Sequence, residues 1–150
     1  MKSIGEYPGT ETSDPNGVLQ SSLGEMTYNL GVDVGSVSVK LCLIDETGVP
    51  VREDVEKVST GPRAAVSALI SRLTAEFPAE QIVAAGVSGS GSGAIPPEMG
   101  WSSFSSSLAI ASGVLRTHAD ARTIIQIGGQ SSLIIELEDG LRRPWKVESN

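Results

Sequence analysis

An α/β layered fold built on a mixed sheet is predicted by three features of the sequence. Short β-prone runs rich in Val, Ile and Leu alternate with two longer stretches that place apolar residues at every fourth position, and glycine-marked breaks separate them. At 150 residues the chain has the size of one ordinary domain or of part of a larger one, since single cores commonly fall at about 100 to 200 residues. Apolar residues make up 39%, charged residues 19% and aromatics 4%, so the core must be built from Val, Ile, Leu and Ala.

Met1 to Glu25 is rich in Gly, Pro, Ser and Thr and has no sustained apolar period, so it cannot offset its own ordering entropy. We expect a mobile polar tail over residues 1–28 and a folded lobe over 29–150. Tyr28 to Val34 (YNLGVDV) and Val37 to Asp45 (VSVKLCLID) are β-prone runs separated by Gly35-Ser36, which is a hairpin signal. Val39, Leu41 and Leu43 on one face and Cys42 and Ile44 on the other predict a second strand buried on both sides. Glu46-Thr47-Gly48 turns the chain into Val49 to Ser59, a third and more exposed antiparallel strand.

Gly61-Pro62 then introduces Ala65, Leu69, Leu73 and Phe77, an amphipathic helix ending near Pro78. Gln81 to Val87 (QIVAAGV) is a short apolar strand, and Ser88 to Gly93 (SGSGSG) reads either as a flexible loop or, from its place directly after a strand, as a ligand loop. Ser102 to Thr117 carries a second helical stripe at Phe104, Leu108, Ala111 and Leu115. Arg122 to Ile127 and Ser132 to Leu137 are strands on either side of Gly128-Gly129. The order ββ-β-α-β-α-β-β predicts a mixed sheet with three antiparallel N-terminal strands and helices packed on it.

Lys plus Arg number 11 against 18 Asp plus Glu, a net charge of −7, which argues against nucleic acid or a polybasic membrane surface as partner. One cysteine, Cys42, and one histidine, His118, exclude an intrachain disulfide, a multi-cysteine zinc site and a paired-histidine site, so a metal must be held by oxygen. Cys42 reads as a core thiol and His118 as a helix-end residue. Trp101 and Trp145 read as core or partly buried side chains, and Glu136, Glu138 and Asp139 as a solvated edge. Neither a signal-peptide pattern nor an apolar run of about 18 residues occurs, which makes a reducing, cytoplasmic setting the expectation.

Two glycine-marked turns carry the chemistry. In Gly31-Val32-Asp33-Val34-Gly35-Ser36-Val37-Ser38-Val39-Lys40, a carboxylate near a strand end is followed by a tight turn with exposed N–H groups, the Ser36 and Ser38 hydroxyls and the Lys40 cation. Such a set suits a magnesium-bound phosphate, and it also suits a plain hairpin turn. The second turn, Gln126-Ile127-Gly128-Gly129-Gln130-Ser131, lies about 90 residues further on, and together the two make a bipartite phosphate clip. Neither is a Walker loop, and SGSGSG is not the dinucleotide fingerprint.

GVDVGSVSVKLCLID resembles the first phosphate motif of the actin, sugar-kinase and heat-shock-chaperone superfamily of ATPases. The likeness is greatest to the BadF/BadG/BcrA/BcrD group, with its pattern like GIDIGSTSTKAVLLD. That group includes activators of 2-hydroxyacyl-CoA dehydratase and ATPase parts of benzoyl-CoA reductase. RTIIQIGGQSSLIIELEDG is similar to its second phosphate motif, DIGGQDSK, and GVSGSGSG to its T-G-x-G-R loop. The resemblance implies a ribonuclease-H-like, actin-like ATPase lobe that binds ATP and Mg²⁺. Asp33 would then hold the metal through water and act in catalysis with the residue at 126. Gly35, Ser36, Ser38 and Lys40 would serve the first phosphate turn, and Gly128, Gly129 and Gln130 the second.

Three positions depart from the motif: Gln126 and Ser131 stand where the family has Asp, and Leu133 where it has Lys. A glutamine cannot act as an anionic group that orients water, so nucleotide contact is better supported than hydrolysis. In the family a later M-N-D-x-C-A-A-G-T-G segment binds a 4Fe–4S cluster shared between two subunits. Trp145 to Asn150 resembles the approach to it, and the cluster cysteines are absent from this chain, as is the second lobe. The expectation is the ATP-binding lobe of a truncated activator-type ATPase, inactive by itself. The whole protein would couple ATP hydrolysis to electron transfer into a dehydratase or reductase partner and would form a homodimer. A catalytically degenerate regulatory or assembly lobe is the alternative. A small-molecule kinase comes third, because the loop at Ser88 to Gly100 offers Glu98 alone as an acceptor-side carboxylate.

Overall fold

The computed structural model of the chain describes residues 26–128 and 132–149. The expected tail over Met1 to Glu25 lies outside them, and Tyr28 already opens the first strand. Apolar-polar alternation in the two N-terminal runs becomes β1 (Tyr28–Val34) and β2 (Ser38–Asp45), paired antiparallel. β3 (Pro50–Lys57) pairs antiparallel with β2 through a turn shaped by Asp45. The Asp45 Oδ1 accepts from the Thr47 hydroxyl at 2.7 Å and from the N–H groups of Thr47 and Val49 at 2.9 and 2.8 Å. The Thr47 hydroxyl and these N–H groups favour the charged form and lower the Asp45 pKa. Gly48 takes φ +79°, and the Arg116 guanidinium lies 2.6 Å from where a β-carbon would stand. From there the Arg116 Nη2 donates to the Thr47 carbonyl at 3.0 Å.

Helix α1 (Pro62–Glu76) begins on a proline, whose missing N–H costs nothing in the first turn. Its buried stripe of Ala65, Val66, Leu69 and Leu73 packs against Leu30, Val32 and Val34 of β1 and Val39, Leu41 and Leu43 of β2. The helix crosses over to β4 (Ile82–Ser88), which lies parallel to β1, and β5 (Ser102–Ser103) adds two residues parallel to β4. The order β3-β2-β1-β4-β5 is the mixed sheet that the sequence predicts, with its three antiparallel N-terminal strands.

Three expectations need correction. β2 is not buried on both sides: Cys42 and Ile44 are half-buried, because the face opposite α1 opens on a groove of about 1220 Å³ floored by Gly31, Ala84 and Gly86. The second helix, α2 (Ser106–Thr117), starts later than Ser102. The Phe104 N–H is taken by the Val87 carbonyl at 2.8 Å, its ring packs over Gly86, and the Ser105 hydroxyl caps the helix by accepting from the Leu108 N–H at 3.3 Å. Finally, β6 (Thr123–Ile127), β7 (Ser132–Glu136) and β8 (Lys146–Ser149) do not join the first sheet. They form an antiparallel sheet of their own, in the order β6-β7-β8, with Ile124, Ile135 and Leu137 packed against Ala111 of α2. No helix among the described residues is long and apolar enough to cross a membrane.

Arg72 ties the outer side of α1 to β3, its Nε donating to the Asp54 Oδ2 at 2.9 Å and its Nη1 to the Glu56 Oε2 at 2.8 Å. The hydrogen bond from Arg72 is the largest cause of a lowered Asp54 pKa. The pair therefore stabilises the fold fully above the unfolded carboxyl's pKa, about 3.9, and the contribution is lost as pH falls through the lower folded value. Urea midpoints measured against pH should show a shallower acid limb in Arg72→Ala, with the two proteins converging in acid as the Asp54 carboxyl becomes protonated. Leu69, 1% exposed, sits at the centre of the α1–sheet contact. Leu69→Ala should lower the unfolding free energy by about 2 to 5 kcal/mol, read from the same denaturation curves.

Candidate functional site

Asp33 is the last residue but one of β1 and projects from the groove face of the sheet. Parallel pairing sets Ser88 beside it on β4, and the Ser88 hydroxyl, 9% exposed, donates to the Asp33 Oδ1 at 3.2 Å. Among the described residues no hydrogen bond reaches Oδ2, so one carboxylate oxygen is fixed and the other is available. Just beyond, the Gly35 N–H donates to the Ser38 carbonyl at 3.1 Å, and a β-carbon at Gly35 would stand 2.9 Å from that oxygen. The resulting turn leaves Ser36 exposed, Ser38 half-buried, and Lys40 exposed as the cross-strand partner of Asp33.

The SGSGSG segment is the third wall. Gly89 takes φ +95°, where a β-carbon would stand 2.7 Å from the Val34 carbonyl carbon and 2.8 Å from the Asp33 Oδ1. The Gly91 N–H donates to the Val34 carbonyl at 2.8 Å, and a short helical turn at Ser92–Ala94 follows. The loop is fastened to the end of β1, against the carboxylate. Ser88, Gly89 and Gly91 were not among the sequence-predicted site residues. Their signal was a glycine-rich loop directly after an apolar strand.

The second turn stands on the second sheet. Gln126 is half-buried and Gly128 exposed, while Gly129, Gln130 and Ser131 lie outside the described residues. The strands that flank the two turns are nonetheless paired in the same register. Val34 pairs with Val39 and Ile127 with Ser132, leaving four residues between the paired ends, 35–38 and 128–131. One step back, Asp33 pairs with Lys40, and Gln126 pairs with Leu133. The first turn thus follows a carboxylate and a cation, and the second follows two neutral side chains at the same two places.

A half-buried carboxylate with one oxygen fixed, beside the hydroxyls of Ser36 and Ser38 and a glycine turn, suits a hydrated cation carried by a phosphate. Among the described residues no three His, Cys, Asp or Glu side chains come together, so phosphate and water would have to supply most of the ligands of such a cation. Cys42 plays no such part: burial, and then the charge of Glu53, raise its pKa and keep it a thiol. His118 caps α2, its N–H donating to the Val114 carbonyl at 2.7 Å. Trp101 and Trp145 pack against the two cores as partly buried side chains.

No family model and no curated protein matches the chain. Solved structures do match. The activator of the 2-hydroxyisocaproyl-CoA dehydratase from Clostridium difficile, with bound ADPNP, is similar at TM-score 0.64 and 25% identity, over 83% of this chain and 46% of that one. Component A of the (R)-2-hydroxyglutaryl-CoA dehydratase of Acidaminococcus fermentans is similar at TM-score 0.68 and 24% identity, over 81% and 47%. A reductive activator for a corrinoid, iron–sulfur protein follows at TM-score 0.58 and 18% identity, over 84% and 31%. The chain spans about half the length of the first two, and it has the α/β fold of the actin-like ATPases.

Gly89 and Gly93 provide a controlled comparison, since a β-carbon at Gly93 meets nothing within 4 Å. Gly89→Ala should destabilise the protein by about 1 to 3 kcal/mol, through strain at positive φ and collision with β1. Gly93→Ala should leave the urea midpoint close to wild type.

Proposed function

We propose that the chain is the ATP-binding part of an ATPase of the dehydratase-activator type, and that the turn after β1 receives the phosphates of ATP with their Mg²⁺. The observation that carries this reading is the convergence on Asp33 of the Ser88 hydroxyl, the Gly35–Ser38 turn and the Gly89 loop. In this reading Asp33 orients water on the Mg²⁺ shell. The Gly35 turn with Ser36 and Ser38 binds phosphate oxygens, and Lys40 adds a positive charge nearby. Gly128, Gly129 and Gln130 serve the second phosphate turn. The likeness to an activator solved with an ATP analogue supports the same ligand class.

The whole protein would couple ATP hydrolysis to electron transfer into a dehydratase or reductase component, with residues 29–150 as its N-terminal lobe. A 4Fe–4S cluster would need cysteines from outside these residues, since Cys42 is the one cysteine of the chain and stays a thiol within β2. Gln126 opposite Leu133 favours a second reading, in which nucleotide is bound and not turned over.

Isothermal titration with ATP and ADP, with and without Mg²⁺, tests the proposal. ATP should bind in a Mg²⁺-dependent way, and Asp33→Ala should weaken it at least about tenfold, or about 1.4 kcal/mol. Equal affinity with and without Mg²⁺, or an unaffected variant, would reject the Asp33 site. Phosphate release by the Gln126→Asp, Leu133→Lys double variant separates the two readings: turnover that rises from a null wild type identifies a binding lobe that has lost hydrolysis.

A further inference from the structure

A second, smaller cavity of about 290 Å³ lies between α1 and the segment that follows the glycine-rich loop, and it shares no lining residue with the groove beside Asp33. Its apolar wall is made by Ile95, Pro96, Met99 and Trp101 on the segment and by Val66 and Ile70 on the helix. The segment is held in shape by its own bonds. The Ile95 N–H donates to the Ser92 carbonyl and the Met99 N–H to the Pro96 carbonyl, each at 3.0 Å, and Gly100 takes φ +66° to bring in Trp101. Pro96 and Pro97 fix two further φ angles, so the wall stands preformed.

Two polar groups of α1 line the same space. The Arg63 Nε donates to the Ala94 carbonyl at 3.1 Å, which anchors one edge of the guanidinium. Its two Nη groups have neither a hydrogen-bond acceptor nor a carboxylate among the described residues, whereas Arg52, Arg72 and Arg143 each meet an acid. Ser67 stands one helical turn on from Arg63, and its hydroxyl also lines the cavity with no bond to another described residue. A hydroxyl in mid-helix commonly turns back on the carbonyl four residues earlier, as that of Thr74 does on Ile70 at 3.0 Å, and that of Ser67 does not. Serine is also a weaker helix former than alanine, so helix formation does not account for its presence.

We propose that this cavity binds a small carboxylate with a flat apolar body, an arylalkyl carboxylic acid in its ionised form. The Nη edge of Arg63 and the Ser67 hydroxyl hold the carboxylate oxygens, because a planar fork of N–H donors matches a carboxylate and the hydroxyl adds a donor one turn away. The body lies between Ile70 and the wall of Met99 and Trp101, where an aromatic ring gains contact with the indole and with the thioether sulfur. A volume of about 290 Å³ is at the low end for ligand pockets and restricts the ligand to one ring on a short chain. Arg63 repels a cation, and a ligand without an acceptor would leave the Nη groups unpaired on binding. The site includes neither Asp33 nor the phosphate turns, so it stands whether or not those receive ATP.

Trp101 and Trp145 are the two tryptophans of the chain, so Trp145→Phe leaves Trp101 as the one indole reporter, placed in the cavity wall. Titration of that protein with phenylbutyrate should change its fluorescence saturably. Phenylbutanol and phenylbutylamine, with the same body and no carboxylate, should bind at least about tenfold more weakly, and Arg63→Gln should raise the Kd for phenylbutyrate by at least about tenfold. Ser67→Leu should fill the cavity and abolish the change while the urea midpoint stays at or above that of its parent, which separates loss of the site from loss of the fold. No saturable change up to the solubility of phenylbutyrate would overturn the proposal, as would equal affinity for the carboxylate and the alcohol. Undiminished binding by Arg63→Gln or by Ser67→Leu would place the probe elsewhere, the groove beside Asp33 included, and overturn it as well.

Discussion

Parallel pairing of β1 with β4 is the constraint on which the rest depends. It brings residues 55 positions apart, Asp33 and Ser88, into register, so that a hydroxyl fixes one carboxylate oxygen and leaves the other in reach of solvent. The same pairing delivers the glycine-rich loop to the end of β1, where a positive φ at Gly89 lets backbone pass within contact of Val34 and Asp33. It also requires a crossover, and α1 is that crossover. Its stripe from Ala65 to Leu73 closes the main core, so the element that shapes the site also buries the largest apolar cluster.

Much of this was legible in the sequence because it is local. The alternation in YNLGVDV and SVKLCLID and the four-residue spacing from Ala65 to Phe77 located three elements to within a few residues. Asp33 and the Gly35–Ser38 turn were legible because strand, carboxylate, glycine and hydroxyl follow one another along the chain. What was not legible depends on contacts between distant residues. Ser102 and Ser103 have no strand propensity, and they are held as a strand by Phe104, which closes over Gly86 and bonds to Val87. Ser88 looked like the first residue of a loop, and its part at Asp33 exists only across the parallel pair. The division into two sheets was hidden for a similar reason, since apolar periodicity reports which face is buried and not which strand lies alongside.

The two turns, alike in loop length and register, differ in what precedes them. Asp33 and Lys40 place opposite charges at the first, and Gln126 and Leu133 place none at the second. A phosphate or cation at the first turn meets fixed charge. The pair flanking the second turn offers only the amide dipole of Gln126, whose attraction falls off faster with distance than that of a charge. The pairs that flank the two turns thus share a register and differ in charge.

The contact between Arg116 and the Thr47 carbonyl has a mechanical consequence. Gly48 is there both for its φ of +79° and for the space that the guanidinium fills, so the tip of the β2–β3 hairpin is shaped around the end of α2. α2 in turn carries Ala111 into the core of the second sheet. The helix thus behaves as a strut, seated at one end against an outer hairpin and loaded along its length by the other sheet. Any displacement of α2 along its axis would therefore be borne by the single hydrogen bond from Arg116 to the Thr47 carbonyl and by the packing at Gly48.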